Sequence, residues 1–232
     1  MTLPGKNQTA KRSMNRIVDL LMVLFLPLLM AYSLIGETFH EVTGTVMLVL
    51  FVFHLILHKR WWKAVMKGRY GAYRAFDTVL NGILLVLMFA QPLSGIAMSH
   101  RLYTFLPLTG IAAAAREIHL ALGCWSYVLM SLHLGLQTGP MIRGMARGRE
   151  RKPAKQWAVR IIVLLVSAYG VYAFIKRGLP GYMFLQTRFA FFDFGEPVLF
   201  FIADYLAVMV LFAAAGYTIG KLLKNKKEKQ SE

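Results

Sequence analysis

Four histidines fall into two copies of one spacing. His40 is followed by Gly44 and, fourteen residues on, by His54-Leu55; His119 is followed by Gly123 and, fourteen residues on, by His133-Leu134. On an α-helix, at about 100° and about 1.5 Å per residue, fourteen steps end about 40° short of four turns and climb about 21 Å. Each copy therefore places two imidazoles on one helix face, one near each end of a membrane-length segment. Imidazole is a ligand for iron, zinc and copper. Two such helices side by side offer two stacked bis-histidine sites, and the chemistry they suit is a pair of b-type haems used for electron transfer.

The elements that must carry these residues are apolar. The 232-residue chain is 57% hydrophobic and 16% charged, which excludes disorder and fits a water-soluble domain poorly. Its formal net charge of +16 lies in short clusters between long apolar runs. That is how an inner-membrane protein distributes Lys and Arg, so no nucleic-acid partner is expected. Cys124 is the single cysteine, which leaves no disulfide framework and no thiolate cluster; no CxxCH motif exists for c-type haem attachment. The basic start enters an apolar run of membrane length, unlike a cleavable signal peptide.

Six runs reach the roughly 20 residues that span a hydrocarbon core: about 17–36, 40–58, 75–98, 116–138, 157–175 and 197–220. Pro27 is a predicted kink in the first, and Pro92 with Gly95 loosens the end of the third. The second stops at Lys59-Arg60-Trp61-Trp62-Lys63, a charge anchor with an interfacial aromatic belt. Of the 27 Lys and Arg residues, only Arg101, Arg116, Lys176, Arg177 and Arg188 fall on one side of this arrangement. The positive-inside rule then predicts both termini on the cytoplasmic side. The expected fold is an all-α polytopic membrane protein with six transmembrane helices, the first four forming a haem-binding bundle. Its predicted regions are a basic N-terminus (1–16), the core (17–138), a basic loop (139–156), two further helices (157–220) and a basic tail (221–232). Within 157–220, the aromatic segment 178–196 is too interrupted to span. It is expected at the outer interface, either as a plain connector or as a docking surface or quinone-pocket wall.

Topology tests the histidine pattern independently. The second and fourth spans run in the same direction, so His40 is level with His119 on the outer side and His54 with His133 on the inner side. Gly44 and Gly123, one turn below the outer ligands, would give a porphyrin room, and Gly135 would do so near the inner site. A single histidine is ordinarily a hydrogen-bonded core residue, and glycine in membrane helices often serves packing alone. Two matched pairs are a different matter, because intramembrane ionisable residues are costly. His58 follows His54 by one turn, but its counterpart in the second copy is Gln137, so it is expected near the headgroups, by a haem propionate or in a proton path. His100 reads as a surface histidine. Arg101, Arg116, Lys59 and Arg60 are either propionate partners or snorkelling anchors. Glu41 and Glu117 could accept quinol protons or simply suit a helix start. Asp204 is a weak proton-relay candidate, and Cys124 a packing residue.

The motifs His40-Glu41-x2-Gly44 and Ser131-Leu132-His133-Leu134-Gly135 resemble the di-haem membrane cytochromes b. In those proteins the second and fourth helices of a four-helix bundle each carry two histidines at this kind of spacing. The texture is most similar to small bacterial cytochrome b-like proteins associated with flavinylated, FMN-binding electron-transfer proteins. The likeness covers about residues 17–138. It implies haem b, two per chain, with His40 and His119 on the outer iron and His54 and His133 on the inner iron. It also implies a bacterial inner membrane and electron exchange between the quinone pool and an extracytoplasmic redox partner, with quinol/quinone oxidoreductase activity left open. Haem subunits of dehydrogenases and hydrogenases share the pattern, and the ferric-reductase-like family resembles it more loosely. The alternative of another class is a transporter whose histidines line a metal or proton path. Such a protein would be expected to show broken midplane helices or an inverted repeat, whereas this repeat is parallel.

Overall fold

The computed structural model describes residues 6–67, 70–106, 109–145, 153–187, 193 and 195–228. Every regular element among them is helical: α1 (Lys6–Met30), α2 (Tyr32–Ile35), α3 (Glu37–Leu57), α4 (Lys59–Val65), α5 (Ala72–Ala97), a 3-10 turn (Thr109–Ile111), α6 (Ala112–Met145), α7 (Pro153–Lys176), α8 (Leu179–Met183) and α9 (Val198–Glu228). Six contain stretches long and apolar enough to cross a bilayer: Ser13–Met30, Glu37–Leu57, Ala72–Ala97, Ala112–Gly139, Pro153–Lys176 and Val198–Lys224. This is the build of a multi-pass membrane protein: each of the six predicted runs has a membrane-length helix, although the first, 17–36, is divided between α1 and the short α2. The outward faces agree. Val79, Val86, Leu164 and Leu199 are 61–75% exposed, a pattern that water penalises and lipid does not.

Local sequence explains most boundaries. α1 runs through Pro27 and ends at Met30, and α2 follows as a separate turn. Gly36 then takes φ 87°, a left-handed conformation that costs glycine little, and α3 starts in the next residue. The Lys59–Lys63 anchor is itself helical (α4), with the Trp61 and Trp62 rings edge to face at 4.9 Å. α6 is longer than its apolar run at both ends, and at its start the alanines 112–115, the best helix formers, carry the helix beyond it.

Packing runs in a chain: α1 on α3, α3 on α5, α5 on α6, α6 on α9 and α9 on α7. The two histidine helices, α3 and α6, make little direct backbone contact with each other. α6 and α9 approach most closely, and glycine is the reason. A Cβ on Gly135 would lie 1.8 Å from the Ala213 carbonyl oxygen, and one on Gly216 would lie 2.1 Å from that of Leu132. Gly135 was expected to leave room beside the second histidine site; its space is filled by the α9 backbone instead. Tyr127, fully buried on α6, donates its hydroxyl to the Tyr205 carbonyl at 2.5 Å.

Part of the aromatic segment is drawn inward. Leu179 on α8 is fully buried, and the Met183 carbonyl accepts the Trp125 indole N–H at 2.9 Å. Phe189, Phe191, Phe192 and Phe194 lie outside the described residues, as do 1–5, 146–152 and 229–232 of the basic regions.

Candidate metal-binding sites at the two ends of the histidine helices

At the end where α3 and α6 begin, His40 and His119 face each other with ring centroids 6.0 Å apart and planes at 75°. Two imidazoles holding one ion from opposite sides, with metal–nitrogen bonds of about 2.0–2.1 Å, would have centres about 6.4 Å apart, a little farther than these. A neutral imidazole has one N–H and one lone pair, and α5 decides which nitrogen of His119 is which. His119 Nδ1 lies 3.1 Å from the Gln91 carbonyl and 3.1 Å from Ser94 Oγ. The carbonyl can only accept, so the proton sits on Nδ1 and the lone pair on Nε2, where the Gln91 side-chain amide approaches to 3.2 Å. His40 is buttressed by the Tyr32 ring, edge-on at 5.2 Å. The Leu29 backbone is the hydrogen-bonding neighbour of the His40 ring, though Nδ1 meets no partner at good hydrogen-bond geometry among the described residues.

Gly44 leaves open space on α3, with only Leu29 Cδ2 at 3.9 Å from a would-be Cβ. The corresponding space at Gly123 is shared with the Gln91 amide, 3.1 Å from a would-be Cβ. The loop from α5 to α6 is stapled over this end. Glu41 accepts from Ser99 Oγ (2.7 Å) and from the backbone N–H groups of His100 (3.2 Å) and Leu102 (2.8 Å). Arg101 pairs with Glu37 at 3.1 Å. Glu41 is therefore occupied as a loop clamp, and Arg101 as its neighbouring anchor. His100 is exposed.

The opposite end is built differently. His54 Nδ1 lies 2.9 Å from Asp19 Oδ1 on α1, so it donates to the carboxylate and leaves its Nε2 lone pair free. His58, one turn on, stacks against His54 at 4.4 Å between centroids, with its Nε2 3.7 Å from the same Asp19 oxygen. The ligand atoms of Asp19, His54 and His58 all lie within 4.8 Å of one another. His133, on α6, is close enough to feel the charges of His54, His58 and Asp19. Its Nδ1 is buried without a hydrogen-bond partner among the described residues. The repeat relates the two helix pairs beyond the histidines: Gln137, the counterpart of His58, donates to Asp77 on α5 at 2.8 Å. A carboxylate on the preceding span thus meets the corresponding position in each copy.

Asp19, Gln91 and Ser94 are what the spacing argument missed. The available signal was their polarity inside apolar runs, since a polar side chain in a span needs a partner. Asp204 has a different role from the relay considered for it. It is 1% exposed and accepts from the Tyr169 hydroxyl at 2.5 Å, Lys176 Nζ at 2.9 Å and Arg177 Nε at 2.8 Å. Arg177 also forks onto both Glu196 oxygens, at 2.6 and 2.5 Å, and these bonds hold the Glu196 carboxyl below the usual carboxylate range. This cluster ties the α7 end to the α9 start. Cys124 is buried in the core.

Fold and sites together define a class: an all-helical, multi-pass membrane chain with a His40–His119 pair at one end of two spans and an Asp19–His54–His58 cluster at the other. No family model, curated protein or solved structure matches it.

Proposed function

We propose that the chain is a membrane cytochrome b that carries electrons across the bilayer through two b-type haems. One is held between His40 and His119, the other between His54 and His133. The observation that carries this reading is the His40–His119 pair: two imidazoles from helices that barely touch, with ring centroids 6.0 Å apart. The donor sets suit the group. His54 and His119 both have Nδ1 committed to an oxygen, so a second partner sets the ring orientation, as in metal-binding histidines; the His119 Nε2 lone pair meets the Gln91 amide at 3.2 Å, which would have to give way to a metal. When bound, haem supplies a one-electron couple whose potential the protein tunes.

The chain's own residues do the rest. α1, α3, α5 and α6 form the bundle that holds both sites, and Gly44 and Gly123 keep bulk away from the His40–His119 end. Gln91 and Ser94 orient His119; Asp19 orients His54. The Lys and Arg bias supports both termini on the cytoplasmic side and the His40–His119 end outside, and the membrane of this proposal is a bacterial inner membrane. Electrons pass between the quinone pool and an extracytoplasmic redox protein, such as an FMN-carrying one. An absorption spectrum of the purified protein tests the reading. About two haems b per chain and a sharp α-band on reduction are expected; no α-band, or haem well below two, overturns it.

A metal or proton transporter is favoured by one specific observation, the Asp19–His54–His58 cluster. That reading predicts a haem-free protein that binds about one zinc or comparable ion per chain and loses it in His58→Ala.

A further inference from the structure

We infer that Asp19 is a positioning residue that sets the direction of electron flow, by making the His54–His133 end the lower-potential of the two. The inference rests on the di-haem reading. Among the described residues, the four histidines differ sharply in what their second nitrogen meets. His54 Nδ1 gives its proton to a carboxylate at 2.9 Å. His119 Nδ1 has only a carbonyl and a hydroxyl, both neutral, at 3.1 Å. His133 has a buried Nδ1 without a partner, and His40 has only the neutral Leu29 backbone as a hydrogen-bonding neighbour. The other carboxylate at that end, Asp77, is engaged by Gln137 rather than by a histidine.

A carboxylate that accepts the imidazole proton raises the basicity of the ligating nitrogen. A more basic ligand favours the more positive, oxidised iron and lowers its potential. An ionised partner also makes a stronger hydrogen bond than a neutral one. One electron therefore moves favourably from the His54–His133 end to the His40–His119 end, with no bond broken and no proton transferred. In the proposed topology that is outward, from a quinol donor to the extracytoplasmic acceptor.

Redox titration of the membrane-purified protein, following the haem absorbance, tests this. Wild type should show two one-electron waves, and His40→Ala should remove the higher one. Asp19→Asn should raise the lower wave by roughly tenfold in the reduction equilibrium, about 59 mV for one electron, and leave the higher wave in place. Asp19→Glu should bring the lower wave back toward wild type. Two haems with both waves unmoved in Asp19→Asn overturn the inference and leave the di-haem reading standing. A wild-type chain without haem overturns both. Loss of one haem in Asp19→Asn but not in Asp19→Glu supports the role of the carboxylate; loss in both variants refutes it.

Discussion

The two ends of the histidine helices carry the same ligand type at the same spacing, yet their surroundings are chemically unlike. Where α3 and α6 begin, His119 is fixed by a carbonyl and a hydroxyl on α5, His40 rests on the Tyr32 ring, and the nearby Glu41 is spent on the loop above. At the other end a carboxylate on α1 reaches His54 directly, and a fifth histidine, His58, stacks on the first. Duplication of a motif therefore supplied equivalent histidines without supplying equivalent surroundings. What tunes each site comes from the neighbouring helix, and α1 and α5 differ where they face the rings.

The comparison breaks most readily at the histidines themselves. His119→Ala and His133→Ala should each lower the haem content from two to about one per chain, measured from the pyridine haemochrome spectrum. His58→Ala should leave it at two. If His58→Ala instead costs one haem while His54→Ala does not, the two ends are not related by the repeat.

The next largest effect belongs to the charged junction, which lies on the His119 side because α9 runs parallel to α6 (Tyr127 with Tyr205, Leu136 with Gly220). Asp204→Ala leaves Arg177 and Lys176 without their buried partner and should cost about 3 kcal/mol of stability, read by denaturant unfolding in detergent. Both redox waves should stay where they are; a shift of either would mean that the junction is electrically part of a site.

Gly135→Ala should cost about 1–3 kcal/mol by forcing α6 and α9 apart, again by unfolding, with Gly44→Ala as the contrasting variant that meets only an ordinary van der Waals contact with Leu29. The smallest effect expected is at Ser94. Removing its hydroxyl from His119 should cost about 0.5–1.5 kcal/mol and move the higher redox wave less than Asp19→Asn moves the lower. An equal or larger shift would erase the distinction drawn between neutral and charged partners.

Much of this was legible in the chain because the signals are local. Apolar runs of membrane length can be read from composition alone, since each span must bury its own backbone hydrogen bonds and face lipid with its side chains. The histidine spacing is likewise a property of one helix, so the co-facial placement of His40 with His54, and of His119 with His133, follows from residues per turn. Helix length was less secure: α6 exceeds its apolar stretch because helix propensity, unlike lipid solubility, does not end at the interface.

Which side chain on another helix meets each ring was decided only by tertiary packing. Asp19 reads as an ordinary charge near the start of a span, and nothing in its neighbours points 35 residues ahead to His54. Gly135 and Gly44 look alike in sequence, yet one is pressed against a backbone and the other faces space. Asp204, conspicuous in an apolar run, found its partners at the far end of a different span. Periodicity within a helix is intrinsic to the backbone; the rotation and offset of one helix against another come from the sum of many weak contacts, and no short stretch of sequence contains that sum.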